Sequence, residues 1–172
     1  MNKAIFLDRD GVINDGTLYY TYKIEDFIFN ADVFESLQLL VQAGFLLVVV
    51  SNQGGVAQGI YSETDVNKVH EYMRQELLKH RIPLAGVYYC PHHSDVSDCD
   101  CRKPKPGMIT QALHDLNIDP AQSFLIGDSR RDIEAAAAAG VRGILIGKNG
   151  ALMPWVQQII DESTNEKTIL HF

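Results

Sequence analysis

The chain has 172 residues and a mass of 19.2 kDa, and its 46% hydrophobic and 22% charged residues are typical of a globular protein with one core. The formal net charge of −7, the pI near 5.2 and the lack of a long basic tract argue against general nucleic-acid binding. No stretch approaches the roughly 18 consecutive apolar residues of a membrane span, and the start of the chain reads as a strand rather than a signal peptide. We therefore expect a cytoplasmic, monomeric protein that binds neither membranes nor nucleic acid.

Strands and helices alternate along the predicted chain. Apolar runs and helical spacing give, in chain order, strand 3–7, helix 31–43, strand 45–50, helix 62–80, strand 86–89, helix 106–116, strand 123–126, helix 131–139, strand 143–146 and helix 153–162. Asn30 is the predicted N-cap of the first helix. This alternation predicts one α/β domain over residues 1–172, a three-layer doubly wound parallel sheet whose ligand-binding loops share one edge.

Two aspartates, Asp8 and Asp10, follow the first predicted strand, at a turn that contains Gly11. Side chains alternate along a strand, so both carboxylates reach one site only if the backbone bends there, and glycine permits the bend. Such a concentration of negative charge is costly unless a cation or a positive substrate group compensates it. A solvated turn is the alternative interpretation, because Asp and Gly are common turn residues.

Polar residues also follow other predicted strands. Residues 51–55, Ser-Asn-Gln-Gly-Gly, offer hydroxyl, amide and backbone N–H groups to a phosphate, although they also suit an ordinary polar turn. Asp128 is a candidate metal ligand with helix capping as its alternative, and capping is the interpretation kept for Asp132. Arg102 and Lys103 belong to the densest basic segment of this acidic chain. They either neutralise a bound phosphate or form a solvated charge run, and Arg102 has a salt bridge as a further alternative.

The three cysteines lie within twelve positions of one another, which suits a metal site better than a disulfide framework. Cys90 and His92 form a C-x-H pair, and Cys99 and Cys101 form a C-x-C pair. Together they predict a closed tetrahedral Zn²⁺ site, which would be structural because no position stays open for water. His93 is the alternative to His92, and unrelated buried thiols are the alternative to a metal site.

The order of these residues resembles the four motifs of the haloacid dehalogenase-like (HAD) phosphohydrolase superfamily, which has a Rossmann-like fold. The resemblance implies that Asp8 attacks phosphorus to form an aspartyl-phosphate, and that Asp10 protonates the leaving oxygen and then activates water. It also implies Mg²⁺ held by Asp8, the backbone carbonyl of Asp10 and Asp128. Ser51 and Lys103 would stabilise the transferring phosphoryl group.

The loop of about residues 90–101 is similar to that of the zinc-loop subfamily, whose members remove the 7-phosphate of D-glycero-D-manno-heptose 1,7-bisphosphate or dephosphorylate histidinol phosphate. Cys-Pro-His-His, Pro-Gly-Met and Ser-Asn-Gln-Gly-Gly-Val-Ala resemble the heptose type more closely, which implies the heptose substrate. The short spacing between His92 and Cys99, and Ser129 at a position where lysine is common, depart from that type. Histidinol phosphate, another sugar phosphate, and a non-catalytic zinc-stabilised interaction domain are the alternatives.

Substrate recognition is expected at the rim of the site. The resemblance implies substrate contacts at Asn52, Gln53, Gly54, Arg102 and Tyr19. Tyr19 belongs to a predicted flap, residues 14–22, that folds over the phosphate. The intervals between the motifs leave no room for a separate cap domain, so the site is expected to be open to a large substrate.

Overall fold

The computed structural model describes residues 1–169, so the last three residues of the predicted domain lie outside the described part. Five parallel strands form one sheet in the order β3-β2-β1-β4-β5. The strands are β1 (Ala4–Leu7), β2 (Leu46–Asn52), β3 (Leu84–Cys90), β4 (Phe124–Gly127) and β5 (Arg142–Leu145). Central β1 pairs with both neighbours, and Leu7 lies beside Val49 on one side and Ile126 on the other.

Five helices cover the two faces of this sheet. They are α1 (Val33–Gln42), α2 (Glu63–Lys79), α3 (Gly107–Asp115), α4 (Arg130–Ala138) and α5 (Met153–Ile169). Side chains alternate along β1, so Ile5 and Leu7 pack in the layer of α1, α2 and α5, whereas Ala4 and Phe6 pack in the layer of α3 and α4. The predicted three-layer doubly wound α/β fold is therefore confirmed. Of the helices described, none combines the length and apolarity that crossing a membrane requires.

The predicted N-cap of α1 is wrong. The helix begins after Asp32, and the Asn30 side chain instead donates to the backbone oxygen of Val12 at 3.0 Å. The Asp32 carboxylate accepts hydrogen bonds from the backbone N–H groups of Leu152 and Met153, at 2.7 and 2.8 Å. Asp32 thus accepts hydrogen bonds from backbone N–H groups at the start of α5, about 120 positions away. The sequence around residue 32 contains no pattern that predicts this contact.

We expect Asp32→Ala to lower the free energy of unfolding by about 1 kcal/mol, because two N–H groups at the start of α5 lose their acceptor. Urea denaturation measures this change. Asp161→Ala removes an exposed carboxylate from α5 itself and serves as the control, with an expected change within about 0.5 kcal/mol. Equal stability of the two variants would show that the Asp32 contact contributes nothing.

Candidate active site

Three carboxylates meet at the carboxyl ends of β1 and β4. Asp8, Asp128 and Asp132 each offer one oxygen, and these oxygens lie within 4.8 Å of one another. Gly11 makes the approach possible, because it has a φ of +89° and a β-carbon there would lie 2.2 Å from an Asp128 carboxylate oxygen. Burial and the neighbouring Asp132 raise the pKa of Asp128. The site therefore concentrates negative charge in partly buried surroundings.

Lys103 is the cation inside this cluster, and only 3% of it is exposed. Its ammonium group donates to Asp8 Oδ1 at 2.8 Å and to the backbone oxygen of Val50 at 2.8 Å, and it pairs with Asp132 Oδ1 at 2.6 Å. Burial by itself would lower the pKa of Lys103, but Asp8 and Asp132 outweigh it and the pKa is raised. Burial raises the pKa of Asp8 to about 7 although Lys103 opposes this shift. Lys103 is thus a positively charged group that three oxygen contacts hold in place next to the Asp8 carboxylate.

Asn52 holds the backbone that carries this lysine. Its amide nitrogen donates to the Lys103 backbone oxygen and its amide oxygen accepts from the Lys103 backbone N–H, both at 3.0 Å. Asn52 also borders the cavity, so the predicted substrate contact stays a prediction. The structure adds a second task for this side chain, which is to fix the loop after β3 against the end of β2.

Asp10 is oriented by a shell of donors. Arg9 Nη2 donates to both carboxylate oxygens at 2.9 and 3.0 Å, Asn14 donates to one at 3.0 Å, and Gln53 donates to the other at 3.1 Å. Arg9 is fully buried and its Nη1 lies 3.1 Å from His70 Nε2. Burial and the Arg9 charge lower the pKa of His70 to about 3, so His70 is neutral and its Nε2 accepts from arginine, which can only donate.

The end of β2 supplies a small, tightly packed polar group. Ser51 is 1% exposed, and its hydroxyl oxygen accepts from the Gln53 amide nitrogen at 2.8 Å. The Gln53 amide oxygen accepts from the Tyr61 hydroxyl at 2.8 Å. A β-carbon on Gly54 would lie 2.9 Å from Arg102 Nη1, so glycine lets the arginine reach over this turn.

A cavity of about 280 Å³ opens above these groups. The predicted residues that border it are Asp8, Asp10, Tyr19, Asn52, Gln53, Gly54, Arg102, Lys103 and Asp128. Ser51 does not border the cavity, because it is buried beneath Gln53, whose amide donates to its hydroxyl oxygen. Tyr19 stands at the rim with 86% of its surface exposed. The structure thus brings every predicted residue for phosphate chemistry to one place, at the carboxyl edge where the sheet order reverses around β1.

Sequence reasoning missed several residues of this site, among them Arg9, Asn14, His70, Tyr61, Arg131, Asp132 and Lys148. Asp132 reads locally as a helix cap, and it does accept from the Ser129 backbone N–H at 3.0 Å while its other oxygen pairs with Lys103. The sequence analysis assigned no role to Arg9, His70 or Tyr61. Only the position of Arg9 between Asp8 and Asp10 could have indicated its role, because a cation next to two carboxylates in the sequence can offset their negative charge.

The carboxylate cluster has a donor set that fits Mg²⁺, which prefers carboxylate, carbonyl and water oxygens. Both Asp132 oxygens are occupied, one by Lys103 and one by the Ser129 N–H. Lys103 uses only Oδ1 of Asp8, so Asp8 and Asp128 remain as the carboxylates best able to hold a cation. The raised pKa values of these two groups show that their charge lacks full compensation from the protein.

A second cluster joins the four predicted zinc ligands. One ligand atom each from Cys90, His92, Cys99 and Cys101 lies within 4.8 Å of the others, and the cysteines are not paired as disulfides. Three sulfurs and one imidazole nitrogen fit a four-ligand Zn²⁺ site. His93 lies outside this group, accepts from the Asp95 backbone N–H at 3.2 Å and borders the cavity.

Backbone contacts connect the zinc loop, defined as residues 90–101, to the cavity. Arg102 Nη1 donates to the His92 backbone oxygen at 3.0 Å, and the Gln53 backbone N–H donates to the Cys90 backbone oxygen at 2.8 Å. The position of Arg102 at the rim therefore depends on the conformation of this loop.

Known proteins resemble this chain in sequence and in fold. A family model described as HAD-hydrolase-like matches residues 100–162. The D-glycero-beta-D-manno-heptose-1,7-bisphosphate 7-phosphatase of Pasteurella multocida (strain Pm70) is 44% identical over 155 residues, covering 87% of this chain and 84% of that protein. The protein of the same name from Haemophilus influenzae is 43% identical with the same coverage. The crystal structure of D,D-heptose 1,7-bisphosphate phosphatase from B. bronchiseptica, complexed with magnesium and phosphate, has a TM-score of 0.85 and 30% identity over 93% of this chain and 99% of that one.

Proposed function

The chain belongs to the D-glycero-beta-D-manno-heptose-1,7-bisphosphate 7-phosphatase family of HAD-like hydrolases, and we propose that it removes the 7-phosphate of D-glycero-D-manno-heptose 1,7-bisphosphate in a Mg²⁺-dependent reaction. The observation that carries the proposal is the buried Lys103, which lies 2.8 Å from Asp8 beside Asp128. A nucleophile, a cation for phosphoryl oxygens and a metal-binding carboxylate are the parts that phosphoryl transfer needs.

In the first step, an oxygen of Asp8 attacks phosphorus and the bond to the sugar oxygen breaks. Lys103 and the Ser51 hydroxyl stabilise the charge on the phosphoryl oxygens. Asp10 gives its proton to the departing sugar oxygen, so the products of this step are the free hydroxyl group and an aspartyl-phosphate on Asp8.

In the second step, the ionised Asp10 takes a proton from water, and the water oxygen attacks phosphorus. The bond to Asp8 breaks, which releases inorganic phosphate and restores both carboxyl groups. We assign Asp8, the Asp10 backbone carbonyl and Asp128 to Mg²⁺. When bound, this cation offsets the charge repulsion between the phosphate and the carboxylates.

Three cations around the cavity favour a doubly phosphorylated substrate over histidinol phosphate. Arg102, Arg131 and Lys148 border the cavity in addition to Lys103, in a chain whose formal net charge is −7. Local positive charge of this kind attracts a second phosphate, whereas histidinol phosphate carries one phosphate and a positive amine. Asn52, Gly54 and Tyr19 are further proposed contacts of the sugar.

A substrate panel tests this choice. We expect kcat/KM for the heptose bisphosphate to exceed that for histidinol phosphate by at least about 100-fold, because a site built for two phosphates leaves its cations unpaired with a single one. Phosphorus NMR should show the 7-phosphate lost and the 1-phosphate retained. Asp8→Asn serves as the blank for contaminating phosphatases. A preference for histidinol phosphate would overturn the heptose substrate and keep the reaction mechanism.

We further propose a structural Zn²⁺ on Cys90, His92, Cys99 and Cys101, one domain, a monomeric state and a cytoplasmic location. Light scattering after gel filtration tests the monomer against the chain mass of 19.2 kDa. Release of phosphate from an aryl phosphate separates the enzyme from a non-catalytic zinc-stabilised interaction domain, which would release none.

A further inference from the structure

We propose that Gln53 and Tyr61 are positioning residues that hold the Asp10 carboxylate in the orientation needed to protonate the leaving group. This inference rests on the proposed phosphatase function and deepens it. It also reassigns Gln53, which the sequence resemblance places among the substrate contacts. Three observations carry the inference: the saturated amide of Gln53, the buried hydroxyl of Tyr61 and the direct bond from Gln53 to Asp10.

The Gln53 amide has no donor left for a substrate. Its nitrogen carries two hydrogens, and it donates to Asp10 Oδ2 at 3.1 Å and to Ser51 Oγ at 2.8 Å. Its oxygen accepts from the Tyr61 hydroxyl at 2.8 Å, and only 2% of the residue is exposed. The surroundings dictate which way the amide points, because a carboxylate lies on one side and an O–H donor on the other.

Tyr61 fixes the amide in that direction. The Tyr61 ring stacks on Tyr22 with a centroid distance of 4.9 Å and an angle of 8°, and only 7% of the residue is exposed. A β-carbon on Gly55 would lie 2.1 Å from the ring, so glycine makes room for the stack. Burial raises the pKa of Tyr61 to about 12, which keeps its hydroxyl neutral and able to donate near neutral pH. Packing therefore fixes the position of the Tyr61 hydroxyl, and the hydrogen bond from this hydroxyl fixes the orientation of the Gln53 amide.

Gln53 completes the shell around Asp10. Arg9 binds both carboxylate oxygens, and Asn14 donates to Oδ1 at 3.0 Å. Gln53 donates to Oδ2 from the turn after β2, two residues after Ser51, which the proposed mechanism assigns to the phosphoryl group. Gln53 thereby fixes the Asp10 carboxylate relative to the end of β2, and not only relative to the turn that carries Asp10. Arg9 and Asn14 would still hold Asp10 to its own turn after loss of this bond, but the tie between Asp10 and the end of β2 would be gone.

The test is the dependence of kcat/KM on the leaving group in the full chain with Mg²⁺. This quantity reports formation of the aspartyl-phosphate, because release of the alcohol makes the first step irreversible. We would compare wild type, Gln53→Met and Tyr61→Phe on alkyl phosphates and on aryl phosphates of decreasing phenol pKa. Tyr61→Phe keeps the stacked ring and removes only the hydroxyl. Tyr88→Phe is the matched control, because its hydroxyl binds Asp115 at 3.1 Å on the exposed surface.

Gln53→Met and Tyr61→Phe should lose about 10- to 100-fold in kcat/KM for alkyl phosphates and less than about 3-fold for p-nitrophenyl phosphate, whose leaving group needs no proton. The slope against leaving-group pKa becomes steeper in both variants and stays at the wild-type value in Tyr88→Phe. A uniform loss over the whole series, or no loss, would overturn the inference and leave the phosphatase function standing. Wild-type protein that releases phosphate from no member of the series would instead overturn the proposed function.

Discussion

Asp8→Asn is expected to lower kcat by at least about 10⁴-fold, because an amide replaces the attacking carboxylate at nearly the same volume. The variant also loses one of the two side-chain carboxylates that we propose as ligands of Mg²⁺. Lys103 keeps its ion pair with Asp132 at 2.6 Å and its bond to the Val50 backbone oxygen, so the loop that carries it should remain in place. Phosphate release at saturating Mg²⁺ and substrate measures the loss.

Asp161→Asn, on the exposed face of α5, is the matched control and should keep wild-type activity. Acid quenching of wild-type protein during turnover, followed by mass spectrometry of its peptides, should locate one phosphoryl group on the peptide that contains Asp8. Full activity of Asp8→Asn, or a phosphoryl group on another peptide, would contradict the assigned nucleophile.

Loss of the zinc ligands is expected to have the second largest effect, a fall of about 100-fold in kcat/KM in His92→Gln. Cys90 Sγ lies 2.8 Å from Cys101 Sγ and 3.6 Å from Cys99 Sγ, so the sulfur ligands are already gathered in one place, and Zn²⁺ would bind them as thiolates. We expect the zinc loop to rearrange without bound Zn²⁺. Arg102 would then lose its hydrogen bond to the His92 backbone oxygen, which holds the arginine at the rim of the cavity.

Elemental analysis and kinetics together test this prediction. Wild type should contain one Zn²⁺ per chain, and His92→Gln should contain much less. His93→Gln is the matched control for zinc content, because His93 lies outside the four-ligand cluster. Wild type treated with a zinc chelator should regain activity with Zn²⁺ and Mg²⁺ together and not with Mg²⁺ alone. Absence of zinc from freshly purified wild type would contradict the site.

Local patterns in the sequence were enough for the order of elements, and the resemblance of its motifs to a known family supplied the predicted chemistry. Apolar runs that alternate with segments of helical spacing predict the parallel sheet, because the spacing of apolar residues indicates which side chains are buried. The Asp8 and Asp10 pair lies where a strand ends, and the C-x-H and C-x-C spacings bring ligands together by chain geometry alone. These features depend on neighbours within a few residues, so a sequence displays them.

Only the tertiary structure decided which distant groups meet. Asp132 reads locally as a helix cap, and its ion pair with Lys103 exists because α4 and the loop after β3 meet at one edge. Asp32 reads as the start of α1, yet it accepts from the start of α5. The sequence by itself therefore determined the fold class, because the fold class depends on local periodicity. The resemblance to a known family supplied Asp8 as the predicted reacting carboxylate. The tertiary structure decided which residues hold the site in place, because hydrogen bonds and ion pairs between distant residues produce no periodic pattern in the sequence.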